Sequence, residues 1–226
     1  MKVKKIMFAH ASRGRPVKAM DAAKRMTGMM TENTPFTYYL SLDIDDPFLP
    51  DYIHNVETLD FKVEILVRNN RGCVDATNRV LKFCQDEDLL IVNTEDLGIK
   101  TIGWDKFLIE FIDKISHNEY MVHFPDAAPN AKECAIYQVL SISLCKKLGY
   151  IFYPRYISMY ADNDLWSTCR RLGVVNNYDG PLLFFHDHPG HGSKTMEWDE
   201  TYKHTNRPIC YENGAALFAK RFPKIN

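Results

Sequence analysis

The sequence lacks a net charge of either sign. Lysine and arginine together number 28 and aspartate and glutamate 29, for a formal net charge of −1 over 226 residues. No overall field therefore draws the chain to nucleic acid or anionic lipid; only a local basic patch would do so. Paired cysteines are also lacking. Cys73, Cys84, Cys134, Cys145, Cys169 and Cys210 are scattered with no C-x-x-C spacing, which argues against a disulfide scaffold and for reduced thiols in a cytoplasmic setting. No apolar run is long enough to span a bilayer. The opening MKVKKIMFAHASRGRP has only a short apolar run before charge returns, so it does not read as a signal peptide. There is no repeat and no low-complexity segment. What is present is enough chain for one large hydrophobic core, expected as a single domain over 1–226.

Short apolar runs alternate with stretches at helical spacing. Strands are expected over 5–12 (KIMFAHAS), 36–43 (FTYYLSLD), 62–69 (KVEILVRN), 88–93 (DLLIVN), 119–124 (EYMVHF) and 181–188 (PLLFFHDH). Pro16 suits the first position of a helix, where its missing N–H costs nothing. Val74, Thr77, Val80, Leu81 and Cys84 share one helical face, as do Trp104, Phe107, Leu108, Phe111, Ile112 and Ile115. Further helices are expected over 137–148 and shortly after Asp162. Near-continuous apolar strands alternating with helices predict an α/β fold around a mostly parallel sheet. The C-terminal third, rich in aromatics, glycine and histidine, is expected to be irregular, with loops closing over a site.

Ligands of such sheets bind beyond the carboxyl ends of the strands. There this sequence places Arg13 and Arg15 after the first strand, and Asp43, Asp45 and Asp46 after the second. Asn69 and Arg71 follow the third, and Glu95 and Asp96 the fourth. Arginine offers planar donors to phosphate and carboxylates hold a hard cation, so the mixture suits a nucleoside diphosphate bridged by a divalent ion. Plainer readings stand beside this one. Glu95-Asp96 can cap a turn, and Asp45-Asp46 before Pro47 can form a solvated turn. His186 and His188, two apart on a strand, face one way, which serves a metal or simple packing equally. Asp162-Asn163-Asp164 opens a helix, where a carboxylate is either a cap or an ionised base. The aromatic residues of 150–156 read as core.

The ordered set SRGRP, LDIDDP, NNRGCVDATNRVL, DLLIVNTEDLG with WD, GYIFYPRYISMYADND and FFHDHPGHGSK with DETY resembles a small GT-A glycosyltransferase of the family-2 type, as found in bacteria and their phages. The resemblance covers roughly Lys5 to Tyr202. It implies a GT-A fold, with 1–118 as the nucleotide-sugar half and 119–226 as the acceptor and catalytic half. Arg13, Arg15, Asp43 and Asp45 would hold the base, ribose and phosphates of a nucleoside diphosphate sugar, uridine being the usual nucleoside. Asn69, Arg71 and Asn78 would line the pocket, and Lys194 would reach the diphosphate. Glu95-Asp96 stands where the family's acidic motif stands. Asn93 and Glu95 replace aspartates there, which leaves Asp96 as the expected ligand of Mn²⁺ or Mg²⁺, completed by His186 or His188. Asp164 would be the catalytic base of an inverting transfer.

Two other classes fit parts of the pattern. A sugar-nucleotide pyrophosphorylase shares the nucleotide fold, but normally carries a glycine-rich phosphate loop that SRGRP does not supply. A degenerate transferase that only binds nucleotide or glycan fits the Asn93 and Glu95 departures. The acceptor is open to polysaccharide, lipid-linked sugar, protein or a hydroxymethylated DNA base, the last without support from the net charge.

Overall fold

The computed structural model describes residues 3, 5–129, 131, 134–193 and 196–223. Its centre is a seven-stranded sheet. Four strands lie parallel at one side: β1 (Ile6–Ala11), β2 (Phe36–Asp43), β3 (Val63–Arg68) and β4 (Leu89–Asn93). A two-stranded ribbon pairs β5 (Leu97–Ile99) with a later segment outside this sheet. The sheet continues with β6 (Met121–His123), β7 (Val139–Ser141) and β8 (Val175–Asn177), in the order β3-β2-β1-β4-β7-β6-β8. β7 alone runs against its neighbours. The late partner of β5 is β9 (Phe184–His186), with Leu97 opposite His186.

β1 and β4 are apolar on both faces because both faces are covered. Ile6, Phe8, Leu89 and Ile91 point to a layer holding Trp104, Leu108 and Met26. Met7, Ala9, Leu90 and Val92 point to the opposite layer, with Leu144, Leu165 and Cys169, as the two-residue strand period requires. On the first side lie α1 (Pro16–Gly28) and α4 (Trp104–Ile112). α2 (Leu49–Val56) closes a smaller core through Tyr52 against Ala19, Met20, Leu40 and Leu42. On the second side are α3 (Cys73–Asn78) and, after β7, α5 (Ile142–Leu148), capped by Ser141. α6 (Ala161–Leu172), α7 (Glu200–Thr205) and α8 (Pro208–Arg221) complete the chain.

Several expectations are corrected. The helix expected from the face running Val74 to Cys84 is α only over Cys73–Asn78 and tightens to 3₁₀ over Arg79–Phe83. The 137–148 helix divides into β7 and α5. The 181–188 strand shortens to β9 and leaves the main sheet for the ribbon. The C-terminal third, expected to be irregular apart from a helix after Asp162, has that helix as α6 and adds α7 and α8. Among the described residues, no helix is long and apolar enough to cross a membrane.

Candidate active site

The carboxyl ends of β1, β2 and β4 converge, and the ribbon folds back onto them. The β5–β9 pairing carries His186 to Asp96: Nε2 stands 3.2 Å from Asp96 Oδ2, across 90 residues of sequence. The ribbon is pinned from both sides, by Asp187 N–H to the Asp96 carbonyl at 2.9 Å and His186 N–H to the Ala127 carbonyl at 2.8 Å. Asp96 also accepts from Thr94 Oγ1 at 2.6 Å and from the Tyr202 hydroxyl at 3.0 Å. Burial opposes its charge, but the His186, Thr94 and Tyr202 bonds outweigh burial and hold the carboxyl well below the usual range.

His188 lies beside His186 with ring centroids 5.0 Å apart, and His191, which the sequence reading left out, stands 5.2 Å from His186. Burial, then the charge of His186, pushes both down. His188 Nδ1 accepts from the Gly190 amide at 3.0 Å, so His186 is the ring that meets Asp96.

Glu95 turns inward. Its carboxylate accepts from Ser12 Oγ and lies 3.5 Å from His10 Nε2 and 3.8 Å from Arg15. Burial raises its pKa and the His10, Arg15 and Ser12 contacts more than reverse that. Beneath them, Tyr38 OH meets His10 Nδ1 at 2.7 Å and accepts from Asn93 Nδ2 at 2.6 Å. The two departures from an aspartate-rich motif thus belong to one buried polar network, and Asp96 alone of the motif faces His186.

Arg15 is buried and bidentate to Asp199, and its guanidinium lies 3.9 Å above the Tyr202 ring. Arg13 donates to Asp45 at 2.8 Å and to Asp43 at 3.3 Å. Asp43 is shared with Arg79, whose NH2 lies 3.2 Å from its other oxygen. Asp46 is buried, contrary to a solvated turn: it accepts from the Gly14 amide at 2.8 Å and the Phe48 amide at 2.9 Å. Gly14 makes that turn with φ +70°, a conformation suited to glycine. Asn69 and Arg71 are exposed on the rim, and Arg71 makes no ion pair among the described residues. Lys194 lies outside the described residues.

Asn78 and Asp164 do not sit as expected. Asn78 accepts from the Ile151 and Phe152 amides at 2.9 and 2.8 Å and donates to the Phe152 carbonyl at 2.7 Å, so its whole amide is committed to chain packing. Asp164 is fully buried, with its oxygens taken by Arg221, by Tyr156 OH at 3.0 Å and by Thr168 at 3.3 Å. No carboxylate oxygen is left to take a proton from a ligand. Asp162, two residues earlier in the same turn, is partly buried and bonded to its neighbour's amide at 2.9 Å. Burial pushes its pKa up, the Asn163 amide and Cys134 pull it back, and it feels the charge of His186. Among the described residues Asp162 makes no ion pair, whereas Asp164 is paired with Arg221.

The sequence reading missed Arg79, His10, His191, Asp199 and Tyr202. WDETY at 198–202 was the one visible signal for the last two.

No protein-family model matches the chain, and no curated protein is detectably similar to it in sequence. Solved structures are similar in fold. A mannosyltransferase of Pyrobaculum calidifontis, PcManGT, in complex with GDP-Man and Mn²⁺ matches 100% of this chain and 77% of its own, with TM-score 0.64 and 11% identity. S. aureus TarS 1-349 in complex with UDP-GlcNAc matches 96% of this chain and 71% of its own, with TM-score 0.62 and 13% identity. A Drosophila β-1,4-galactosyltransferase 7 mutant with manganese, UDP-Gal and xylobiose matches 91% and 80%, with TM-score 0.57 and 14% identity. Against a longer TarS chain, this chain spans 36% of the length. The sheet order, the helices on both faces and these likenesses give the chain a GT-A-like fold.

Proposed function

We propose that this protein is a metal-dependent glycosyltransferase that moves a sugar from a nucleoside diphosphate donor to an acceptor hydroxyl with inversion at the anomeric carbon. The observation that carries the reading is the Asp96–His186 pair, held 3.2 Å apart at the mouth of the parallel strands. Donors on adjacent corners of an octahedron with bonds of about 2.1 Å stand about 3.0 Å apart, so the pair fits two adjacent positions on Mn²⁺ or Mg²⁺. His186 Nε2 donates to the Asp96 carboxylate, while Nδ1 is buried without a hydrogen-bond partner among the described residues, so a cation bound between the pair would replace the Nε2 proton. Among the described residues no group of three or more His, Cys, Asp or Glu side chains is placed to hold a metal ion by itself, so the donor's diphosphate must supply further ligands. A cation held there supplies positive charge to the leaving diphosphate.

The residues divide the work by position. Arg13 with Asp43 and Asp45, on the rim of β2, receives the nucleoside, with Asn69 and Arg71 beside it. Arg15 offers the nearest buried cation to the phosphates, although Asp199 shares it. Asp162 takes the place the sequence suggested for Asp164 and accepts the acceptor's proton; its raised pKa makes it a stronger base than a solvated aspartate. Asn78 and Asp164 are assigned to packing. The donors seen with the similar folds, UDP-Gal, UDP-GlcNAc and GDP-Man, define the donor panel, and xylobiose beside one of them favours a glycan hydroxyl as acceptor. Incubation with each donor and Mn²⁺ tests the reading. Slow release of nucleoside diphosphate, abolished by EDTA, is expected. Pyrophosphate release, or binding without any turnover, would contradict it.

A further inference from the structure

The turn that presents Asp162 is strained and is gripped on both sides by the C-terminal helix. Tyr160, immediately before α6, has φ +69°, and is the only non-glycine residue with positive φ among the described residues. A tyrosine holds that conformation only where its surroundings over-determine it. α8 supplies the surroundings. At Gly214 the helix backbone comes so close that an added Cβ would lie 2.6 Å from the Met159 carbonyl oxygen and 2.9 Å from the Tyr160 ring. One turn further, Phe218 packs on Tyr160 with ring centroids 5.8 Å apart. At the end of α8, Arg221 makes a two-pronged ion pair with fully buried Asp164 and lies 3.4 Å over the Tyr153 ring. Asp162 stands between these two grips, at Met159–Tyr160 and at Asp164.

We infer that Arg221 and Gly214 are positioning residues for Asp162, so that α8 is part of the catalytic unit. Arg221 fixes the first turn of α6 through Asp164, and Gly214 lets α8 lie against the strained peptide that launches it. The arrangement explains why Asp164 is buried as an ion pair, a costly setting that an ordinary helix cap does not need. The inference rests on the reading of Asp162 as the base, and the test separates the two.

Arg221→Ala, Arg221→Lys and Gly214→Ala are compared with Asp162→Asn in the full chain, following nucleoside diphosphate release from UDP-Gal, UDP-GlcNAc and GDP-Man with Mn²⁺. Misplacing a reacting group by about 1 Å can cost on the order of 100-fold. The expected result is a kcat lowered about 10-fold or more in Arg221→Ala and Gly214→Ala, with KM within about threefold of wild type. Arg221→Lys, which keeps the charge, should recover part of the loss. Amide hydrogen exchange over 159–164 should accelerate in the same variants. Wild-type kcat in Arg221→Ala and Gly214→Ala, beside an inactive Asp162→Asn, overturns the inference and leaves the base in place. Wild-type kcat in Asp162→Asn instead removes the base reading; the grip then stands or falls on whether exchange over 159–164 changes in Arg221→Ala. Should Arg221→Ala fail to fold, Arg221→Lys and Gly214→Ala are judged by the same criteria.

Discussion

Arg15 meets Asp199 fork to fork: Nε and NH2 donate to the two carboxylate oxygens at 2.8 and 2.5 Å, joining the end of β1 to a residue 184 positions later. Asp199 also caps α7 by accepting from the Tyr202 amide at 3.1 Å. Burial works to raise the Asp199 pKa, but Arg15, the Tyr202 amide and Lys18 bring it below the usual range. A depressed carboxyl stabilises the folded chain above its unfolded value of about 3.9, and that contribution is lost as pH falls through the folded value. Asp199→Asn should therefore lower Tm at pH 7 by about 2–4 °C, corresponding to about 1 kcal/mol after solvent screening. The gap should narrow at a second pH below about 3.9, as pH falls towards the lowered folded value. A Tm difference that is equal at both pH values would contradict the assignment.

Asp162 and Asp164 share the first turn of α6 and should fail in different ways. Asp162→Asn should keep its melting temperature and nucleoside diphosphate affinity while turnover falls by about 10²–10⁴-fold, the usual loss for a positioned base. Asp164→Asn leaves the Arg221 guanidinium facing a neutral amide in a buried site, so stability should fall by about 3 kcal/mol. Paired denaturation and turnover assays distinguish the two. Loss of turnover in Asp164→Asn with full stability would return the base to Asp164.

Asn78 ties α3 to the segment after α5 with three hydrogen bonds to backbone. Asn78→Ala strips two amides and a carbonyl of their partners, which should cost about 2–4 kcal/mol in urea denaturation. Nucleotide affinity should be unchanged. Weaker nucleotide binding at full stability would place Asn78 in the pocket after all.

The parallel strands were readable because burial on both faces leaves long apolar runs: IMFAHA and LLIVN hardly admit another reading. β7 was not readable, because Val139-Leu140-Ser141 running into an amphipathic helix looks like one more turn of it. α8 hid for a different reason. PICYENGAALFAKR carries proline at its start and glycine in its middle, and only Gly214 of its residues is buried. Asp96 and His186 were legible as chemistry, and their meeting follows from a ribbon that no local pattern announces. The choice between Asp162 and Asp164 was beyond local reasoning. Both sit where a helix dipole favours a carboxylate, and the choice depends on Arg221, 57 residues beyond Asp164.

The central claim is that Asp96 and His186 bind a divalent cation for a nucleoside diphosphate. Asp96→Asn is the direct test, because the amide is nearly isosteric and keeps an oxygen for Thr94 while losing the charge. Titration with UDP and with GDP, each with Mn²⁺ and again with EDTA, measures the effect. The account predicts that wild type binds one of them with Mn²⁺ at least about 10-fold more tightly than with EDTA, a difference of about 1.4 kcal/mol, and that Asp96→Asn loses this dependence while still folding, with a lowered Tm because His186 and Tyr202 lose a charged acceptor. Equal affinity in wild type and variant, with and without the metal, would contradict it.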